Sequence, residues 1–167
     1  MNSISRQSGD TEIAGVIARP PLLFLAALVL GLVLDHLLRL PFPVSRTGLA
    51  HWIGAINAGV LILIGIAVLV AGIRNFSRAA TPVQGTKPSR ALVTTGIHGW
   101  SRNPIYLGMF LVYAGIGMVA RSPWILILML PLAIIMRHGV IEREEAYLER
   151  RFGDAYRDYK DRVGRWL

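Results

Sequence analysis

Ile53–Ile73 reads IGAINAGVLILIGIAVLVAGI and contains no charged side chain. At ~1.5 Å rise per residue, a helix of this length crosses a ~30 Å hydrocarbon core. Three further apolar runs accompany it. Leu22–Leu40 opens behind Pro20-Pro21 and closes at Pro41 and Pro43. Pro104–Ala120 carries Gly108, Gly115 and Gly117 and is broken by Arg121-Ser122-Pro123, after which Trp124–Met136 follows with Pro131 inside it. The last two runs are short for independent spans. They read as a tight helical hairpin whose small residues let its arms approach and whose second arm continues into the cytosol. Pro131 is expected to kink that arm. The fold expected is an all-α integral membrane bundle of about four transmembrane helices with a C-terminal cytosolic helical extension.

Composition agrees. The 167 residues are 53% hydrophobic, more than a soluble domain of this size needs. The chain has no Cys, which excludes disulfides, thiolate nucleophiles and Cys-ligated metals. His51 and His98 are isolated, and no spacing suggests a metal site. The net charge of +8 is concentrated beside apolar spans, where anionic headgroups attract it, so no nucleic-acid partner is expected. The polar segment 1–19 reads as flexible. No small-residue cleavage site follows Leu22–Leu34, so that run reads as a retained span rather than a signal peptide.

Charge also predicts orientation. Lys and Arg number two in the N-terminal segment, five over Arg74–Arg102 and eight from Arg137 onward. The opposite turns hold only Arg39, Arg46 and Arg121. This asymmetry puts both termini in the cytoplasm. Asp35 and His36 sit near the end of the first run. An ionisable group within a span costs roughly 2.5–3.5 kcal/mol, and the simplest reading is that they snorkel or pair with Arg39.

Polar chemistry gathers at two places. Pro104 suits the first position of a helix, and the free N–H groups there, with Arg102 beside them, form a natural carboxylate site. Taken alone, the same residues read equally as a helix start and a membrane anchor. Beyond the hairpin, a helix through Arg137 puts His138, Glu142, Glu145 and Glu149 on one face and turns Glu144 toward Tyr147, Leu148 and Arg151. Such carboxylates suit an ammonium group, or they form a solvated face paired with Arg143, Arg150 and Arg151. A ligand carrying both a carboxylate and an ammonium would engage both places. S-adenosylmethionine has such an end, and its sulfonium suits the ring face of Tyr106 or Tyr113.

In the tail, Phe152, Tyr156, Tyr159, Val163 and Trp166 recur at helical spacing, as a stripe for the headgroup layer or for packing on the protein itself. Asp158 with Arg162 and Asp161 with Arg165 are spaced as i,i+4 ion pairs.

Leu92-Val93-Thr94-Thr95-Gly96, then Ser101-Arg102-Asn103-Pro104-Ile105-Tyr106-Leu107-Gly108, resembles the signature of the isoprenylcysteine carboxyl methyltransferase and phospholipid methyltransferase superfamily. Glu144-Glu145-Ala146-Tyr147-Leu148, Phe152-Gly153, Tyr156, Tyr159-Lys160 and Val163 resemble that superfamily's ending. The resemblance covers roughly residues 92–167. It implies a bacterial-type integral membrane enzyme, in an inner membrane, that uses S-adenosylmethionine and releases S-adenosylhomocysteine. By motif position it assigns Arg102, Asn103, Pro104, Tyr106, Leu107 and Gly108 to the cofactor pocket, Gly96 and His98 to the preceding strap, and Glu144 and Glu145 to the cofactor's amino-acid end. Ile97-His98 stands where the family often has Pro-Tyr, and Asn103 where it often has His. The second departure bears on the acceptor rather than the fold.

The organisation expected is a flexible segment 1–19, two transmembrane helices over 20–73 and a methyltransferase core over 74–167. The acceptor expected is lipid-like or prenylated, methylated at a carboxylate or an amine. Orientation and water exclusion, which contribute ~7–11 kcal/mol in well-aligned reactions, would dominate. Arg102, Tyr106 and Glu142 form the candidate catalytic set. Glu142 or His138 would serve as base for an amine acceptor. Two other readings remain open at this stage: a membrane reductase of the sterol reductase type using NADPH, and a non-catalytic membrane scaffold. Oligomeric state is not legible.

Overall fold

The computed structural model describes residues 15–43, 47–83 and 88–167. Expectations for residues 1–14, Arg46 and Lys87 lie outside the described residues. Six α-helices are described: α1 (Pro20–Leu37), α2 (Gly48–Arg78), α3 (Pro104–Val119), α4 (Pro123–Met136), α5 (Glu142–Phe152) and α6 (Asp154–Arg162). A short 3-10 turn spans Gly96–Gly99, and a wider π turn over Arg137–Ile141 joins α4 to α5. The path from Pro123 to Phe152 is therefore helical throughout and, with α1 and α2, long and apolar enough to cross a membrane; α3 is a shorter apolar helix. The protein is an all-helical integral membrane bundle. Two compact units divide it.

The membrane unit comprises Pro20–Val70 and Ile105–Ile135. Glycine decides its packing. A Cβ on Gly65 of α2 would stand 2.8 Å from the Gly108 carbonyl oxygen of α3, and one on Gly108 would stand 2.6 Å from that of Gly65. Seven residues further along α3, a Cβ on Gly115 would stand 2.9 Å from the Ala58 carbonyl oxygen, seven residues back on α2. The two helices thus run antiparallel with small residues in register and their backbones in contact. Gly117 faces Ile125 and Leu126 of α4, and Gly31 of α1 meets Ile125.

The α3–α4 turn is closed by local chemistry. Arg121 adopts φ +53°, and the Arg121 and Ser122 N–H groups bond the Met118 and Gly117 carbonyls, a helix-ending pattern that satisfies otherwise orphaned acceptors. The Ser122 hydroxyl then accepts the Ile125 N–H at 3.0 Å, capping α4 ahead of Pro123. Outward side chains are apolar, with Leu63 and Leu130 each 70% exposed. Such surface is a liability in water but is solvated by lipid tails.

The polar unit comprises residues 15–19, Ala71–Pro104 and Met136–Leu167. Tyr147 and Leu148 of α5 pack with Tyr156, Tyr159 and Val163, and half-buried Val16, Leu92 and Phe152 close the cluster. The aromatic stripe therefore packs on the protein itself. It does not lie on one helix, because Gly153, at φ +55°, separates α5 from α6. The expected Asp161–Arg165 pair is also corrected. The chain leaves α6 after Arg162 into extended backbone at Val163, and Arg165 turns to Glu145 instead. Likewise Arg162 Nε donates to the Asp158 backbone carbonyl at 3.1 Å. In α5, Glu142, Glu144 and Glu145 fill the first turn and Arg150 and Arg151 the last, complementing the helix dipole.

Candidate functional site

Segment 88–103 forms a strap held at both ends within the polar unit. Near its start, the Thr81 hydroxyl accepts the Arg90 N–H at 2.8 Å, and the Ser89 N–H donates to the Tyr147 hydroxyl at 3.0 Å. At its middle, Gly96 takes φ +59° with no room for a side chain, since a Cβ would lie 2.5 Å from Asn75 Nδ2. That amide donates to the Thr95 carbonyl at 2.7 Å and lies 3.4 Å from His98 Nδ1. His98 is 3% exposed, stacks edge-on against Phe76, and its backbone carbonyl accepts the Tyr159 hydroxyl at 2.6 Å. Burial pushes its pKa down to about 4. A neutral imidazole with Nδ1 as acceptor fits these partners.

At the far end of the strap the tail beyond α6 closes over it. The Arg102 N–H donates to the Gly164 carbonyl at 3.0 Å. The Arg165 carbonyl accepts both the Ser101 hydroxyl at 3.3 Å and Asn103 Nδ2 at 3.1 Å. Side-chain charge follows the same route. Arg165 grips Glu145 with both arms of its fork, Nε to Oε1 at 3.0 Å and Nη2 to Oε2 at 2.8 Å. Arg102 Nη2 reaches Glu145 Oε1 at 3.4 Å. Arg102 Nε and Nη1 are buried without a hydrogen-bond partner among the described residues.

These groups surround a polar cleft lined by His98, Arg102, Asn103, Glu144, Glu145 and Tyr156, with Val93, Leu148 and Tyr159. Its free volume is about 10 Å³, room for about one water. Burial, and then the Glu145 charge, push the Tyr156 hydroxyl up to about 12, while Arg102 pulls the other way. Burial also raises Tyr159. Both tyrosines stay protonated at neutral pH and His98 stays uncharged, so these three side chains offer hydrogen bonds rather than charge.

Of the expected residues, the fold gathers His98, Arg102, Asn103, Glu144 and Glu145 around this cleft, with Pro104 buried at the start of α3, while Gly96 lies outside it against Asn75. Tyr106, Leu107 and Gly108 belong to the membrane unit. There Tyr106 is buried, and the open face of Gly108 abuts α2. The expected carboxylate face divides. His138 and Glu142 pair with each other at 2.8 Å in an exposed position. Glu149 turns to Arg157 and Lys160, and Glu145 alone enters the cleft, joined by Glu144. Three contributors went unrecognised in the sequence: Arg165, Asn75 and Ser101. The paired tyrosines of α6 were the available signal that the tail packs inward.

The membrane unit holds a separate cavity of about 330 Å³, lined by apolar groups of α1, α2 and α3 that include Phe24, Leu28, Ile66, Met109, Val112 and Tyr113.

Comparison with known proteins gives this architecture a family. Protein-S-isoprenylcysteine O-methyltransferase of Tribolium castaneum is 33% identical over 124 residues, which is 68% of this chain and 41% of that protein. The protein of the same name from Dictyostelium discoideum is 31% identical over 123 residues, 73% of this chain and 51% of its own. That from Saccharomyces cerevisiae is 36% identical over 73 residues, 44% and 30% respectively. The chain thus spans at most about half the length of these relatives. The phospholipid methyltransferase family model matches residues 53–155, a stretch that runs from the start of the apolar core of α2 through the strap and hairpin into α6. The chain belongs to the phospholipid methyltransferase family.

Proposed function

We propose that this protein transfers a methyl group from S-adenosylmethionine to a carboxylate or amine on a lipid-like or prenylated acceptor at the cytosolic membrane face. The observation that carries this reading is the pair of buried carboxylates Glu144 and Glu145 sharing one cleft with Arg102, with half-buried Arg165 clamped on Glu145 from outside it. That set complements a zwitterion, and the two unpartnered buried nitrogens of Arg102 are suited to a carboxylate. When bound, S-adenosylmethionine supplies a methyl group activated on a sulfonium and leaves as S-adenosylhomocysteine. Glu144 and Glu145 hold its ammonium, Arg102 holds its carboxylate, and Tyr156 and Tyr159 wall the site against water. Uncharged His98 fixes the strap from beneath. The apolar lining of the cavity among α1, α2 and α3 suits a hydrocarbon chain. Tyr106, Leu107 and Gly108, assigned to the cofactor by resemblance, act in this reading from the membrane unit, and Glu142 with His138 provides an exposed base for an amine acceptor.

The organisation proposed remains a segment 1–19, a membrane pair 20–73 and a methyltransferase core 74–167. Both termini lie in the cytoplasm of a bacterial cell whose inner membrane holds the bundle. The excess of Lys and Arg on that side supports the orientation. Calorimetry on the detergent-purified protein tests the reading. Micromolar binding of S-adenosylmethionine and S-adenosylhomocysteine, lost in Glu145→Ala, is expected. Binding of NADPH in their place refutes it.

A further inference from the structure

Both carboxylate oxygens of Glu145 are taken by arginines, and the cleft beside them has room for about one water. A ligand ammonium is too large for that space, so a side chain must move for it to reach Glu145. The two arginines are unequal. The Arg102 side chain is 9% exposed, whereas that of Arg165 is 26% exposed. Arg165 also stands at a bend beyond the end of α6, while its own carbonyl stays anchored by Ser101 and Asn103. Its side chain can swing from a fixed base.

We propose that Arg165 is a specificity-determining residue. It exchanges Glu145 for the carboxylate of an incoming amino-acid group, which it shares with Arg102, and leaves Glu145 to take the ammonium. The inference rests on the cofactor reading above and adds to it the residue that selects for the α-carboxylate. The exchange is electrostatically balanced. Before it, Glu145 neutralises Arg165; after it, the zwitterion neutralises both, so no buried charge is stranded. The planar fork that now holds Glu145 bidentately has the right shape for another carboxylate. Glu142, 4.0 Å from Arg165 Nη1, offers the guanidinium a second anion as it moves.

The test compares S-adenosylhomocysteine with its decarboxylated analogue, which keeps the ammonium and lacks the carboxylate. Binding of each is measured calorimetrically to wild type, Arg165→Met and Arg165→Lys. Wild type should prefer the carboxylate-bearing ligand by about tenfold or more, the scale of a charge-assisted hydrogen-bond pair. Arg165→Met should abolish that preference while binding the decarboxylated ligand at least as tightly as wild type, because a competitor for Glu145 is gone. Arg165→Lys should restore part of it. Equal weakening of both ligands in Arg165→Met would mean that Arg165 merely holds Glu145 in place and would overturn the proposal. So would an unchanged preference in Arg165→Lys and Arg165→Met alike. If wild type binds neither ligand, the cofactor reading itself fails and this inference goes with it.

Discussion

Replacing Gly108 with alanine tests the packing of the membrane unit most directly. The new Cβ would lie 2.6 Å from the Gly65 carbonyl oxygen, 2.9 Å from the Leu69 nitrogen and 3.0 Å from Leu69 Cβ, where ordinary contact begins at 3.4 Å. The shortfall at Gly65 is 3.4 − 2.6 = 0.8 Å. Two of the three obstructing atoms are backbone, so no rotamer change relieves it and α3 must move away from α2. Overpacking of this kind costs about 1–3 kcal/mol. Gly65→Ala meets the same wall from the other side, 2.8 Å from the Gly108 oxygen and 2.8 Å from the Val112 nitrogen. Once the helices have parted for one methyl, the second finds the gap already open. The double variant should therefore cost less than the sum of the singles, by about 0.5 kcal/mol or more. Equilibrium unfolding in detergent micelles, with S-adenosylhomocysteine affinity measured on the folded fraction, provides the readout. A loss below about 0.5 kcal/mol in both singles, the background level for unremarkable substitutions, or strict additivity in the double, would refute the close-contact argument.

Three further outcomes are expected. Gly96→Ala forces φ +59° on a residue with a Cβ and drives that atom to 2.5 Å from Asn75 Nδ2. A loss of at least about 1 kcal/mol is expected, and adding Asn75→Ala should recover only the clash, as thermal unfolding of the three variants would reveal. His98, held at about 4 by burial, binds its proton more readily when unfolded, near 6.5. Its contribution is therefore complete above pH 6.5 and lost as pH falls toward 4, by up to about 3 kcal/mol. Melting curves between pH 7 and 4.5 should show a slope that flattens in His98→Gln. Tyr159→Phe deletes the donor to the buried His98 carbonyl and should cost about 1–3 kcal/mol, measured by denaturant titration with unchanged far-UV dichroism.

Much of the membrane unit could be read directly because hydrocarbon imposes a single rule, an uncharged helix of sufficient length. Ile53–Ile73 sits inside α2, Pro20 and Pro104 begin α1 and α3, and the hairpin's second arm runs on through α5. The polar unit obeys no such rule. The aromatic periodicity of the tail holds across Gly153, yet a glycine free to adopt φ +55° turns the chain there without disturbing that spacing. Arg165 was assigned to Asp161 by the same extrapolation. Beyond the end of α6 the nearest well-shielded carboxylate belongs to α5, twenty residues earlier, a long-range pairing that no local pattern encodes. The expected face of His138, Glu142, Glu145 and Glu149 divides in burial for a related reason. Helical geometry places residues around an axis but does not say where the covering chain will lie, and here its edge falls between Glu142 and Glu145. Asn75 escaped notice as an ordinary polar residue at a helix end. Its role depends on the left-handed Gly96 packed against it.

The polar unit is discontinuous in sequence, with Ala71–Pro104 and Met136–Leu167 separated by the hairpin Ile105–Ile135. During synthesis Arg102 emerges before α3 and α4, and Glu145 and Arg165 only after them. The charge cluster can thus close only once the whole hairpin between its two segments has been made. Closure of the cluster is for that reason also a report on biogenesis: Arg102 waits unmatched until the whole intervening hairpin has been made and the chain that follows it has folded back.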